Sequence, residues 1–303
     1  MTKKQKKKLL EAILVIIITI ISIYFTDSEE PKQVTSQNRE TEEVINISDN
    51  NNLKVHYIDV GQADSILIEQ NNEYMLIDAG NNEDGKKLVK YFKDLGINNF
   101  KNVIATHAHE DHIGGMDDII NNFSVENFYM PEAITTTKTF EDVLDALENK
   151  QVAFQTPKID EELKFAKTKL KVLNLENDES DLNDTSIVVR LKYGTTSFLF
   201  MGDASSNIEK KILNKDIKSD VLKTGHHGSR YSNSLTFLKK VEPTYAIISV
   251  GEGNSYNHPH TEIINRLNNL NIKTYRTDKD RTIIAESNGT IINFSTKKTD
   301  TNG

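Results

Sequence analysis

Seven of the eight histidines in this 303-residue chain fall into three short clusters: "HAHEDH" at 107–112, "GHHGS" at 225–229 and "NHPH" at 257–260. Imidazole and carboxylate groups crowded in this way suit zinc, iron or manganese. The chain has no cysteine, so any such metal must be held by nitrogen and oxygen. In an extended stretch residues i and i+2 point to the same side, so His107 and His109 can converge on one point. Asp111 and His112 lie past the strand end, where a loop can turn them toward a second point. Gly114 and Gly115 follow, and the spacing predicts that they let the backbone turn tightly behind the site. The eighth histidine, His56, stands alone in a strand-like run and reads as a structural residue.

Each cluster follows an apolar, strand-like run, the arrangement in which loops carry function on a rigid scaffold. "LKVHYIDVGQADSILIEQ" and "EYMLIDAG", joined by an Asn-Asn turn, predict a hairpin. "DGKKLVKYFKDLG" places Leu88, Val89, Phe92 and Leu95 at helical spacing and stops on Gly96. "FEDVLDALENK", "ASSNIEKKIL", "NSLTFLKKV" and "HTEIINRLNNL" read as further helices. "KLKVLNL", "TSIVVRLKYGTTSFLFMGD", "DVLKTGHHGS", "TYAIISVG", "KTYRTD" and "TIIAES" read as strands. Hairpins first and then strand alternating with helix imply sheets covered by helices, an α/β or α+β domain of about 250 residues.

The N-terminus differs from the rest. Five lysines in "MTKKQKKK" precede the uncharged run "AILVIIITIISIYF" at 12–25. Residues 1–25 therefore read as an uncleaved signal anchor rather than a cleaved signal peptide, with the lysines on the cytoplasmic side. Residues 26–51 read as a disordered polar tether, leaving 52–303 as a domain outside the membrane. Setting aside the five lysines and Glu11 leaves 32 basic and 44 acidic residues, about −12. That balance counts against a broad basic face gripping long nucleic-acid duplexes.

"HAHEDH" followed by glycine resembles the signature of the metallo-β-lactamase fold, and the likeness runs from about 53 to 290. "LFMGDA" looks like the fourth motif of that family, whose aspartate, here Asp203, bridges two metals. "VLKTGHHGS" looks like the fifth, whose second-metal histidine is His226, with His227 as the alternative. "HYIDVGQADSILIE", "YMLIDAG", "HHGS" and "ISVGEGNSYNHPH" are similar to the branch that includes the C-terminal domain of the competence protein ComEC. The resemblance implies an α+β fold, the αβ/βα four-layer sandwich, and two divalent ions, zinc first and manganese second. It places His107 and His109 on one metal, Asp111, His112 and His226 on the other, and Asp203 on both. It gives Asp111 the orientation of a hydroxide, and His258 either a proton for the leaving group or a hydrogen bond to a phosphoryl oxygen. His260 is expected to cap the helix that follows it. The third-motif histidine of the family is absent, and Asn183 or Asp184 in "NDTS" is the nearest substitute. "VGQADS" also carries Ala63 where relatives often have glycine.

The function implied is a phosphodiesterase outside the membrane, acting on DNA or on a wall polymer such as a phosphorylcholine decoration. A carbon-ester or lactone hydrolase and an inactive metal-binding module of a DNA-uptake assembly are the competing readings. No protein partner is identifiable from the sequence.

Overall fold

The computed structural model describes residues 52–132, 135–176 and 181–297. The anchor expected at 1–25 and the tether at 26–51 lie outside them. Among the described residues no helix is long and apolar enough to cross a membrane.

In chain order the strands are β1 (Leu53–Tyr57), β2 (Ser65–Gln70), β3 (Glu73–Ala79), β4 (Asn99–Ile104), β5 (Ser124–Tyr129), β6 (Phe154–Gln155), β7 (Glu162–Leu163) and β8 (Lys169–Asn174). They continue as β9 (Val188–Tyr193), β10 (Thr196–Phe200), β11 (Val221–Lys223), β12 (Tyr245–Ile248), β13 (Lys273–Arg276), β14 (Thr282–Ser287) and β15 (Ile292–Lys297). Eight form one sheet, β15-β14-β1-β2-β3-β4-β5-β6, and seven the other, β13-β12-β11-β10-β9-β8-β7. The first run expected as one strand is two, β1 and β2, because residues 58–64 leave the sheet between them.

Period-two alternation sorts side chains between layers. Ile66, Ile68, Met75 and Ile77 pack against Val189, Leu191, Phe198 and Phe200 between the sheets. Their neighbours Leu67 and Leu76 face Leu88, Phe92, Ile119 and Phe140 on the outer helices of the first sheet. Leu199 and Leu222 face Ile208, Phe237 and Ile263 on the helices of the second. Three apolar interfaces require four layers, helix–sheet–sheet–helix. Each fully buried Leu, Ile or Phe side chain here is worth ~1.5–3 kcal/mol.

β3, β4 and β5 run parallel, as do β10 to β13. Parallel neighbours need crossovers, which the helices Gly85–Asp94, Met116–Asn122, Ser206–Ile212, Leu235–Val241 and Thr261–Asn269 supply. The histidine clusters and Asp203 all lie just past the carboxyl ends of β4, β10, β11 and β12. Open parallel sheets place their ligand crevices at that end.

Candidate metal centre

The chain leaves β4 at Ile104 and reaches the short helix Glu110–Ile113 through an extended loop. His107 and His109 do converge: His107 Nε2 lies 3.0 Å from His109 Nδ1. Asp111 and His112 ride on the short helix and face Asp203 from the other sheet. His112 Nε2 is 3.3 Å from Asp203 Oδ1 and 3.8 Å from Asp111 Oδ2. His227 Nε2 completes the group, 3.3 Å from Asp111 Oδ2 and 3.7 Å from Asp203 Oδ1. One donor atom from each of Asp111, His112, Asp203 and His227 therefore falls within 4.8 Å of the others.

Of the two adjacent histidines, it is the ring of the alternative, His227, that stands in this group. His227 and not His226 joins Asp111 and His112. Both residues sit in the left-handed region, His226 at φ 52°, ψ 51° and His227 at φ 52°, ψ 26°. Two successive non-glycine residues there cost on the order of 1–3 kcal/mol each. The twist buries His227 and turns His226 toward the opposite oxygen of Asp203, with Nε2 3.6 Å from Oδ2.

Of the two substitutes expected for the missing histidine, Asp184 is committed elsewhere: its Oδ1 accepts the Ser205 N–H at 3.0 Å. Asn183 faces the groove, and its buried Oδ1 has no hydrogen-bond partner. Gly114 and Gly115 do not supply unusual torsions. They supply room, because a Cβ on Gly114 would stand 2.2 Å from Asn81 C and one on Gly115 2.5 Å from Ala79 O. The loop after β3 is thereby pressed against the histidine loop.

Asp78 organises that contact. It accepts the Thr106 N–H and hydroxyl, each at 2.8 Å, and takes the His112 Nδ1–H at 2.8 Å. This leaves His112 Nε2 aimed at Asp203, in the way an outer carboxylate orients a metal-ligating imidazole. His227 Nδ1 is anchored similarly, 3.0 Å from the Ser249 carbonyl and 3.6 Å from Asp64 Oδ1. Asp64 in turn pairs with Lys223 at 2.8 Å, both side chains almost wholly buried. Neither Asp64, Asp78 nor Lys223 was singled out in the sequence. The available signal was a charge inside an apolar run, as in "VLKTG" and "MLIDAG".

The electrostatics call for a cation. Burial lowers the His112 pKa, but Asp203, Asp78 and Asp111 overcome it and hold the imidazole well above its ordinary range. Burial also opposes ionisation of Asp203, yet His112 and His227 keep that carboxyl well below the usual value. His107, buried and beside His112, is held well below the ordinary histidine value and stays neutral. His112 Nε2 and Asp203 Oδ1 are both buried without hydrogen-bond partners. A neutral His107, ionised carboxylates and unpartnered buried donor atoms fit divalent metal, which would displace the proton that the carboxylates otherwise hold on His112.

Above these groups opens a groove of about 1380 Å³ whose lining includes His109, Asp111, His226, Tyr256 and His258. His258 stands 5.5 Å ring to ring from His226 and stacks on Tyr256 at 5.7 Å. Burial first, then the neighbouring His227 and His226, push its pKa down to about 4. Gln62 reads its tautomer: Oε1 accepts the Gly251 N–H at 3.2 Å, so Nε2 faces His258 Nδ1 at 3.5 Å. The His258 Nε2–H is then free to donate into the groove. His260 occupies the cap position of the helix Thr261–Asn269 but does not cap it. Its Nδ1 accepts the Arg230 N–H at 3.2 Å instead. His56 is structural, bonded to Tyr91 at 2.9 Å.

Residues 58–252 match the family described as Metallo-beta-lactamase superfamily. The chain is 31% identical over 251 residues to ComE operon protein 3 of Bacillus subtilis, covering 76% of this chain and 32% of that protein. It is 28% identical to Competence protein ComA of Neisseria gonorrhoeae, covering 75% of this chain and 31% of the other. The chain thus spans about a third of the length of these relatives. Among solved structures it is similar to the metallo-beta-lactamase fold protein YhfI from Bacillus subtilis. There the TM-score is 0.56 at 13% identity, over 78% of this chain and all of that one. With two packed sheets, an "HxHxDH" loop and a facing aspartate, the chain belongs to the metallo-β-lactamase superfamily, with ComEC-like relatives.

Proposed function

We propose that this chain is a metal-dependent phosphodiesterase of the ComEC-like branch, working outside the cell membrane on DNA strands. The observation that carries the reading is the floor of the groove, where Asp111, His112, Asp203 and His227 converge beneath an open cleft flanked by His258. The groove walls do not supply a basic grip. Lys87 and Lys90 line it, but they pair with Asp84 at 3.5 Å and Asp94 at 2.7 Å, and Glu83 and Glu110 stand beside them. An anionic diester is therefore drawn to the floor and not to the walls.

His107, His109, Asp111, His112, Asp203 and His227 would hold the ions, with Asn183 as a further oxygen donor. Bound divalent metal lowers the pKa of its water toward ~7 and offsets charge on the attacked phosphorus. The protein's own groups do the rest. Asp111, its side chain 31% exposed, lines the groove, where it can accept a hydrogen bond from the nucleophile and orient it. His258 donates its Nε2–H to a phosphoryl or leaving oxygen, with Gln62 fixing the tautomer. The extracellular placement rests on the lysine-flanked apolar run at 12–25, and the choice of DNA on the competence names of the relatives.

A second reading is favoured by Tyr256, 64% exposed beside this acidic lining. Such a face also suits the quaternary ammonium of a phosphorylcholine ester. The metal-loaded full chain should hydrolyse bis-p-nitrophenyl phosphate, lose that activity to a chelator, and cleave single-stranded DNA faster than p-nitrophenyl phosphorylcholine. No diester turnover with metal bound would defeat the phosphodiesterase reading, and the reverse substrate order would replace DNA with the choline ester. Protease added to intact cells should shave the domain, and full protection would refute the topology.

A further inference from the structure

We propose that Tyr256 is a stacking platform for an unpaired nucleobase, the one beside the phosphodiester that sits on the groove floor. The proposal deepens the phosphodiesterase reading and rests on it for the presence of a nucleic-acid strand in the groove.

An aromatic ring gains most by burial, yet Tyr256 lines the groove with 64% of its surface exposed. The loop that carries it is nonetheless pinned. Asn254 donates from Nδ2 to the Gly251 carbonyl at 2.9 Å and to the His258 carbonyl at 2.7 Å, and its Oδ1 accepts the His258 N–H at 3.0 Å. Behind the loop, the His260 N–H bonds the Gly228 carbonyl at 3.1 Å. Pro259 closes on the same glycine, where a Cβ would stand 2.6 Å from the Pro259 Cβ. A ring held in place without being buried can meet a ligand at little cost in ordering.

The ring's surroundings suit a base better than a cation. His258 is in ring contact with both Tyr256, 5.7 Å away and only 23° from parallel, and His226, 5.5 Å away. A phosphate on the floor that takes a hydrogen bond from His258 therefore carries its neighbouring base toward Tyr256. A quaternary ammonium is best enclosed by a cage of several aromatic faces. Tyr91 is the other tyrosine of the groove lining, and its ring packs edge-on against Phe92 and His56. That leaves Tyr256 as one flat face without a second wall, which suits stacking, since every base has a π-face. Binders of single strands usually combine such platforms with a basic track. Here the wall lysines are paired with Asp84 and Asp94, so stacking is the means left to hold a strand beyond its scissile phosphate. A base already stacked inside a duplex cannot use the platform, and the groove therefore selects unpaired strands.

The test is fluorescence anisotropy on the metal-loaded full chain, with labelled phosphorothioate strands that resist cleavage. Hexathymidylate is compared with the same backbone carrying abasic residues. Wild type should bind the thymidylate about 10-fold more tightly, the scale of one stacked base. Tyr256→Leu keeps apolar bulk without a ring; it should remove most of that preference and leave the affinity for the abasic strand in place. Tyr256→Phe should restore the preference. Raising salt from about 50 to 200 mM should weaken both strands together and keep their ratio, because a base contact releases no counterion. No preference in wild type, or an equal loss on both strands in Tyr256→Leu, would overturn the proposal. So would a Tyr256→Leu loss seen with phosphorylcholine but not with thymidylate, which would assign the ring to the ammonium. Cleavage is measured separately. Base preference without turnover of any diester would defeat the phosphodiesterase reading and leave the platform standing, whereas DNA turnover without base preference would do the reverse.

Discussion

Replacing Lys223 by methionine tests how the site is held from behind. The Lys223 ammonium donates to Asp64 Oδ2 at 2.8 Å and to the Thr224 carbonyl at 3.1 Å, with side chains 0% and 1% exposed. Lys223→Met fills the same apolar volume but strands the Asp64 carboxylate, whose Oδ1 already has no hydrogen-bond partner. An uncompensated buried charge of this kind costs ~3–5 kcal/mol. In a domain of this size that lowers the melting temperature by about 6–20 °C. Adding Asp64→Asn removes the stranded charge at almost constant volume. The double variant should therefore recover most of the loss, with a coupling energy of at least ~2 kcal/mol. Urea unfolding of the four proteins gives the cycle directly. The damage should also reach the metal centre, because the Asp64 N–H donates to the Asp111 carbonyl at 3.1 Å. Strictly additive effects, or a single-variant cost below ~1 kcal/mol, would refute the claim that the buried pair acts as a unit.

Asp78→Asn should keep the fold but free the His112 ring, lowering metal affinity ~10- to 100-fold by equilibrium dialysis; unchanged affinity would deny Asp78 its orienting role. His258→Ala should retain metal and lose activity by a similar factor on p-nitrophenyl diesters and on single-stranded DNA, because its imidazole is neutral at pH 7 and donates Nε2–H as a hydrogen bond. A loss confined to the poorer leaving group would show instead that His258 delivers a proton. Glu69, held below the ordinary carboxyl value first by its hydrogen bond with His56 and opposed by burial, contributes stability above its unfolded pKa near 4.5 and loses it as pH falls through the lower folded value. Glu69→Gln should therefore flatten the acid limb of the stability curve between about pH 5 and pH 3; an identical limb in both proteins would remove Glu69 from the acid transition.

The ligand clusters were legible because metal chemistry needs particular side chains at particular spacings. "HAHEDH" survives inspection without any knowledge of the fold, and the strand ends that carry the clusters follow from the apolar runs before them. The choice between His226 and His227 was not legible, since it turns on two successive left-handed residues that no periodicity encodes. β5 escaped because "SVENFY" alternates exposed polar residues with half-buried ones at the start, and β15 because none of the residues in "INFST" is buried. Asp64, Asp78 and Lys223 escaped for a different reason. A charge within an apolar run reads as a break in the pattern, whereas here the break is what fastens the ligands. Asp78 lies on β3 of one sheet and Lys223 on β11 of the other, yet the first fixes His112 and the second, through Asp64, stands behind His227. Two sheets that share one apolar interface also share one polar end. The centre is placed where each sheet contributes ligands from its own strand ends and buries the charges that support them.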